Sequence, residues 1–278
     1  MLKKRIATLV MGTILVGSMA VGCSSKDNSD GGSAGSKVTI SGSTSVGPVM
    51  EVEKEKFEAS NEGITIEIQQ VGSSAGIKNT IDGTSEIGMS SRDLKDEEKA
   101  SGLKEEQIAI DGIAVIVNKN NEVKDLTVDQ IKDIYTGKIT NWKEVGGQDS
   151  PIVVVSREDG SGTRDGFQEG VGFESEELTK DAQISDGSGN IKSTVEGNEN
   201  AIGYISHGYV DEAVSALLVN GVEASETTIK DKSYVIQRPF IVVYQDGKLS
   251  ESGQKFLDFV LSTEGQDIMS SKGFVKVK

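Results

Sequence analysis

The chain carries 278 residues, 35% of them hydrophobic, and a formal net charge of −15. That excess of acid argues against nucleic acid as a partner. A single cysteine rules out an intramolecular disulfide, and a single histidine leaves zinc or copper without a ligand set.

The length exceeds what one ordinary domain needs, so two are expected. Residues 1–22 carry Lys3, Lys4 and Arg5, then an apolar run too short to span a bilayer comfortably, then small residues, which is the layout of an export signal. Cys23 stands directly after Ala20-Val21-Gly22 and looks like the cysteine of a bacterial lipobox, the position that receives a lipid such as palmitate. Residues 23–36 are rich in Ser, Gly and Asp and read as a flexible tether, so the folded part begins near Lys37. The signal takes away basic residues only, leaving the rest more acidic still. An anionic ligand would therefore have to be held by short, directed hydrogen bonds in a cleft where salt screens the distant carboxylates.

Residues 38–41 form a short strand candidate, and Ser41-Gly42-Ser43-Thr44-Ser45-Val46-Gly47-Pro48 leads into an amphipathic helix to about Ser60. Pro48 fits the first turn, where its missing N–H costs nothing. Val49, Met50 and Phe57 are expected to face the core and Glu53, Lys54 and Glu58 water. Three hydroxyls in a row, Ser43, Thr44 and Ser45, are more than a cap requires. Ile64, Ile66 and Ile68 alternate as in a strand, followed by Val71-Gly72-Ser73-Ser74-Ala75-Gly76 and a helix over 75–82. A brief strand at 87–89 ends in Ser90-Ser91-Arg92-Asp93, and the carboxyl ends of strands in an open α/β sheet lie at the ligand crevice. A charged helix follows at 96–101. Residues 108–117 are apolar enough for a fully buried strand that crosses to a second domain.

Thr127-Val128-Asp129-Gln130 is a capping box opening a helix to Tyr135. Trp142 is expected to pack with its N–H satisfied. An apolar run at 151–155 then enters Ser156-Arg157-Glu158-Asp159-Gly160-Ser161-Gly162-Thr163-Arg164, which reads as an anion cradle. Its glycines let successive amides converge, a helix begins near Thr163, Ser161 and Thr163 add hydroxyl donors, and Arg157 offers a planar fork to two oxygens of a tetrahedral anion. A helix is expected over 174–180. Ser185-Asp186-Gly187-Ser188-Gly189-Asn190 is a fourth Gly-Ser loop that can look into the same cleft but has no cation. Strands are expected at 201–205, 217–219 and 234–244, the last interrupted by Arg238-Pro239 and returning to the first domain. Helices at 251–261 and 263–270 and a short strand at 272–278 complete the chain. His207 reads as structural.

Ser41-Gly42-Ser43-Thr44, Gly72-Ser73-Ser74-Ala75-Gly76, Asp133-Ile134-Tyr135-Thr136-Gly137-Lys138-Ile139, Asp159-Gly160-Ser161-Gly162-Thr163 and Ala201-Ile202-Gly203-Tyr204 occur in one order and spacing. Together they resemble the phosphate-binding lipoproteins of Pst-type ABC phosphate importers, over essentially the whole mature chain. The resemblance implies an α/β type II periplasmic binding fold, in which two α/β lobes joined by two crossing strands enclose the ligand cleft. Lobe 1 would take residues 37–113 and 235–278, and lobe 2 residues 114–234. It implies phosphate contacts from Thr44, the Ser45 amide, Ser73, Arg157, Ser161, Gly162 and Thr163, with Asp159 orienting Arg157.

Where the best-known members carry an aspartate that accepts a proton from phosphate, this chain has Ser91. Ser91 is expected to touch the ligand, with Arg92 turned inward and Asp93 or Asp159 supplying the acceptor; Ser43, Ser74 and Ser90 are further candidates. The implied partners are inorganic phosphate, ABC permease subunits and the cell membrane through a lipid on Cys23, giving an extracytoplasmic, lipid-anchored monomer without cofactor or metal. Sulfate or molybdate is the alternative ligand. A secreted serine hydrolase or phosphatase using Ser161 is a poor alternative, because no base and no Gly-x-Ser-x-Gly elbow accompany that serine.

Overall fold

Strand, Gly-Ser loop and helix recur along the computed structural model, which describes residues 36–277. The export-signal, Cys23 and tether readings fall on residues outside that range, save for Ser36. β1 (Ser36–Gly42) runs into α1 (Gly47–Ser60), β2 (Ile64–Gln70) into α2 (Ser73–Ile81), and β3 (Ile87–Ser90) into the single turn α3 (Asp96–Lys99). β4 (Leu103–Asn118) is the long buried strand foreseen at 108–117. β5 (Asp125–Leu126) and α4 (Val128–Tyr135) follow, the helix opened by the Thr127 and Gln130 capping box.

Further along come β6 (Val153–Arg157), α5 (Gly162–Val171), β7 (Gln183–Ser185), α6 (Gly187–Glu196), β8 (Ala201–Ser206), β9 (Val214–Ala216), β10 (Leu218–Val219) and α7 (Glu226–Lys230). β11 (Gln237–Gln245), α8 (Glu251–Val260) and α9 (Thr263–Ser271) close the chain. No helix among the described residues is long and apolar enough to cross a membrane.

One sheet runs β2-β1-β3-β11-β4-β8-β6-β7, with β9 also paired to β4 and β5 paired to β10 apart from it. β1, β2 and β3 are mutually parallel at one end and β6, β7 and β8 at the other, while β4 and β11 run antiparallel to their neighbours through the middle. The buried apolar residues separate accordingly. One main cluster, including Ile40, Met50, Phe57, Phe240 and Phe256, lies on the β1–β3 half, and the other, including Val115, Tyr135, Trp142, Phe167 and Tyr204, on the β6–β8 half. β4 and β11 are pinned together by a buried ion pair: the Nε and Nη2 of Arg238 reach one oxygen of Asp111 at 3.0 and 2.9 Å, and the Ser206 hydroxyl donates to the other at 2.8 Å.

Four local expectations change. β11 passes unbroken through Arg238-Pro239, because Pro239 sits opposite Ile110 and the register shift falls one residue later, at Phe240/Ile241. Residues 174–180 form only a 3₁₀ turn at Ser175–Glu177, since an acidic segment just past the left-handed Gly172 has no apolar face to pack. The C-terminal segment contributes a single bridge, Val275 to Ile110, rather than a strand. Glu53 does not face water. It is fully buried in the first core with neither carboxylate oxygen partnered, and burial, with Glu264 adding, pushes its carboxyl up to about 9. Trp142 packs as expected, its indole N–H donating to the Asn200 carbonyl at 3.0 Å.

Candidate functional site

The carboxyl ends of the two parallel strand sets point at each other, and every Gly-Ser loop emerges there. Ser43, Thr44 and Ser45 follow β1, Ser73 opens α2, and Ser91 follows β3; from the opposite half come Arg157 at the end of β6, Ser161 to Thr163 at the start of α5, and Ser188 in the first turn of α6. Ser43, Ser45, Ser73, Ser91, Arg157, Ser161 and Thr163 are each at most 2% exposed. Burying so many polar side chains is costly unless each finds a partner, and here they find one another.

The contacts cross between the halves. Ser45 and Thr163 share a hydrogen bond of 2.8 Å, and Ser45 and Ser188 one of 2.9 Å. The Ser74 amide donates to the Gly160 carbonyl at 3.1 Å. On the first half, the Ser43 hydroxyl donates to Ser91 at 2.9 Å while accepting from the Ser45 and Val46 amides, and the Ser91 amide donates to the Ser73 hydroxyl at 3.2 Å. At Gly162 the halves approach tightly: a Cβ there would fall 2.5 Å from the Ser73 hydroxyl and 2.8 Å from that of Ser91. The glycine is therefore demanded by space, although its φ is ordinary.

Arg157 is held on three sides. Its amide donates to the Tyr204 hydroxyl at 3.1 Å, and the Tyr204 ring stacks on Phe167 at 4.0 Å, so the Ala201-to-Tyr204 motif anchors the arginine's backbone. Its Nε and Nη2 meet the two Glu158 oxygens at 2.7 and 2.6 Å, and the remaining edge donates from Nη1 to Ser188 at 3.1 Å and from Nη2 to Thr44 at 3.0 Å. Burial raises the Glu158 carboxyl, but hydrogen bonds and charge from Arg157 outweigh it and hold the group below the usual carboxylate range. The expected partner, Asp159, is not the one. Its side chain is 94% exposed and pairs with Arg164 at 2.6 Å, and Arg164 in turn donates to the Arg157 carbonyl. Glu158, the residue directly after Arg157, turns its carboxylate onto the guanidinium and is held there by the Gly187 amide, which donates to it at 3.2 Å.

Arg92 is buried but serves a different cluster. Glu98 takes it in a bidentate fork at 2.7 and 2.8 Å, Asp165 of α5 lies 2.9 Å from its Nε, and Ser74 accepts from Nη2 at 3.0 Å. Burial disfavours the cation, yet the two carboxylates hold the guanidinium above its ordinary value. Ser90 and Ser74 are thereby accounted for: the Ser90 hydroxyl closes a local turn onto the Arg92 carbonyl, and Ser74 belongs to the Arg92 cluster. Asp93 is exposed and does not enter the cradle. Ser161 acts as the N-cap of α5, accepting from the Arg164 amide at 3.3 Å.

Ser188 joins the site from the loop without a cation. It is placed by Gly187, whose φ of +77° aims its own amide at Glu158. A cavity of about 740 Å³ opens beside the cradle and shares Thr44, Glu158 and Ser188 as wall. No group of three or more potential metal ligands occurs among the described residues. A buried guanidinium whose second edge meets only hydroxyls suits a small oxyanion.

Residues 28–264 match a PBP superfamily domain. The phosphate-binding protein PstS of Bacillus subtilis is 34% identical over 290 residues, covering 99% of this chain and 94% of that protein. Among solved structures, a chain described as a phosphate ABC transporter substrate-binding protein with bound phosphate, from Clostridium perfringens, superposes with a TM-score of 0.86 at 67% identity, covering 87% of this chain and 100% of its own. An ABC-type phosphate transport receptor from Vibrio cholerae gives a TM-score of 0.72 at 35% identity, covering 86% of this chain and 99% of its own.

Proposed function

We infer the function from membership: this chain belongs to the PBP superfamily, among the PstS phosphate-binding proteins, and its role is that of the substrate-binding component of an ABC phosphate importer. The observation that supports the reading most strongly is one buried hydroxyl cluster fed from both ends of the sheet: Thr44 and Ser188 accept from Arg157, Ser45 links Ser188 to Thr163, and Ser73 and Ser91 pack on Gly162.

In this reading Arg157 supplies positive charge, and the hydroxyls of Thr44, Ser45, Ser91 and Thr163 with the amides of Gly162 and Thr163 supply directed donors, so a dehydrated phosphate is held although the molecule as a whole is strongly acidic. Residues 37–113 and 235–278 make one lobe and 114–234 the other, with β4 and β11 as the crossings whose bending would open the cleft. No bond of the ligand is broken: the serines face one another and Arg157, with no imidazole or free carboxylate placed to activate one. Upstream, residues 1–22 act as export signal and Cys23 as the lipid attachment point, which places the protein outside the cytoplasm, tethered near its permease and working as a monomer.

Isothermal titration of the ligand-stripped chain with inorganic phosphate tests the reading. Saturable one-to-one binding that is lost in Arg157→Ala is expected. Undiminished binding by that variant would move the site elsewhere.

A further inference from the structure

Tyr209 ties the two halves together one step outside the cradle. It ends a 3₁₀ turn, His207–Tyr209, that follows β8 directly, and both sides of that turn are anchored. At the strand end the Ser206 hydroxyl donates to Asp111, the carboxylate that Arg238 also holds between β4 and β11. Within the turn, Gly208 allows a close seat on the C-terminal segment: a Cβ there would fall 2.4 Å from the Lys272 carbonyl and 2.7 Å from the Phe274 ring. The Tyr209 ring then meets Phe274 edge-on, with centroids 5.9 Å apart, and packs against both main apolar clusters.

Its hydroxyl crosses to the other half and donates to the Ser45 carbonyl at 2.7 Å. The direction of this bond is fixed, because a carbonyl only accepts. Burial and the nearby Asp111 carboxylate push the phenol well above its ordinary value, so the proton stays on the oxygen. Ser45 is fully buried, and its other polar groups lie in the cradle: the amide donates to Ser43 at 3.1 Å, and the hydroxyl shares bonds with Thr163 at 2.8 Å and Ser188 at 2.9 Å. The Val46 amide belongs to the same rigid peptide plane as the held carbonyl and donates to Ser43 at 3.3 Å. Holding that carbonyl therefore sets the orientation of the whole Ser45 unit.

Building on the reading of this cradle as the anion site, we propose that Tyr209 is a positioning residue for phosphate binding: its hydroxyl fixes the Ser45 peptide and so aims the Ser45 side chain at Thr163 and Ser188. Tyr209 stands at the wall of the cavity of about 740 Å³ that opens beside the cradle, with Thr44 and Ser188 as neighbours in that wall. Without the phenol hydroxyl the buried carbonyl loses its donor, and the peptide turns toward another, carrying the Ser45 hydroxyl with it. The bonds from Ser45 to Thr163 and Ser188 join the halves. Their loss falls on the closed, loaded state and shows as faster release rather than slower capture.

The test is titration calorimetry of the ligand-stripped full chain with inorganic phosphate, on the natural protein, Tyr209→Phe, Ser45→Ala and the double variant. Release of radiolabelled phosphate into an unlabelled excess is timed on each. Phenylalanine keeps the ring against Phe274 and removes only the hydroxyl. Tyr209→Phe is expected to weaken phosphate binding about tenfold, with most of the change in the release rate. In the Ser45→Ala background the same change should cost less than about twofold, since the group it aims is gone. Unchanged affinity in Tyr209→Phe, or a lower urea midpoint with affinity unchanged, would overturn the positioning role while leaving the phosphate reading intact. A full tenfold loss added on top of Ser45→Ala would show that Tyr209 does not act through Ser45, and would overturn it equally. A natural protein that binds no phosphate would remove the phosphate reading itself.

Discussion

Two buried guanidiniums lie where the halves of this protein meet, and their surroundings give them opposite uses. Arg92 is enclosed by two carboxylates, Glu98 from its own half and Asp165 from the other, so its charge is already balanced and it fastens one half to the other. Arg157 has one carboxylate on one edge, and its other edge meets only hydroxyls. Burial is nearly the same for both, at 5% and 1% exposed. What differs is the count of counter-charges, and the guanidinium with one carboxylate rather than two, its other edge lined by hydroxyls, is the one placed to take an anion.

The sharpest way to break this contrast is to remove each arginine in turn. Arg92→Ala leaves two partly buried carboxylates, Asp165 with only Lys95 beside it at 3.6 Å, and should cost about 1 to 3 kcal/mol of folding stability in urea denaturation, while phosphate affinity of the folded protein changes little. Arg157→Ala should do the reverse, weakening phosphate binding by about 2 to 5 kcal/mol in titration calorimetry with a much smaller change in stability. If both variants lost stability and affinity in equal measure, the division of labour would be wrong.

Thr163→Val is isosteric and removes one donor from the cradle. It should cost about 1 to 3 kcal/mol of phosphate affinity, measured the same way. Glu53→Gln sharpens the contrast from outside the site, because Glu53 is a buried ionisable group with no counter-charge at all. Its folded-state carboxyl stays protonated up to about 9, whereas in the unfolded chain it loses its proton near 4.5. The folded form therefore binds the extra proton, and the natural protein should lose stability as pH rises through that window. Glu53→Gln should match the natural protein near the lower end and exceed it by about 1 to 3 kcal/mol toward the upper end, read as a widening gap in urea midpoints. The smallest effect belongs to Asp159→Asn: with a solvated pair to Arg164, it should shift phosphate affinity by less than about 0.5 kcal/mol.

The order of elements and the place of the site were legible because the strand and loop signals are local. Ser43 to Ser45, Ser73, Ser91 and Ser161 to Thr163 each sit just after a strand, and parallel strands carry such loops to one edge of the sheet. What could not be read was which of two adjacent groups turns inward. Glu158 and Asp159 are both acidic and both follow β6, and only contacts made elsewhere in the fold, the Gly187 amide on Glu158 and Arg164 on Asp159, separate their roles. Ser188 was within reach, since its loop repeats the chemistry of the other three; the lack of a cation there concealed that it borrows one from Arg157 at the end of the neighbouring strand. Glu53 stands four residues from both Val49 and Phe57, so helical spacing puts it on the core face, and its charge argued against a position that tertiary packing nonetheless imposed.

The most direct test of the central claim is a crystal structure of the chain grown with inorganic phosphate. The anion is expected within hydrogen-bond reach of the open edge of Arg157 and, at the same time, of hydroxyls from both halves, Ser73 and Thr163 among them. An anion seated against Arg92 instead, or in the outer cavity with the hydroxyl cluster unchanged, would contradict the assignment.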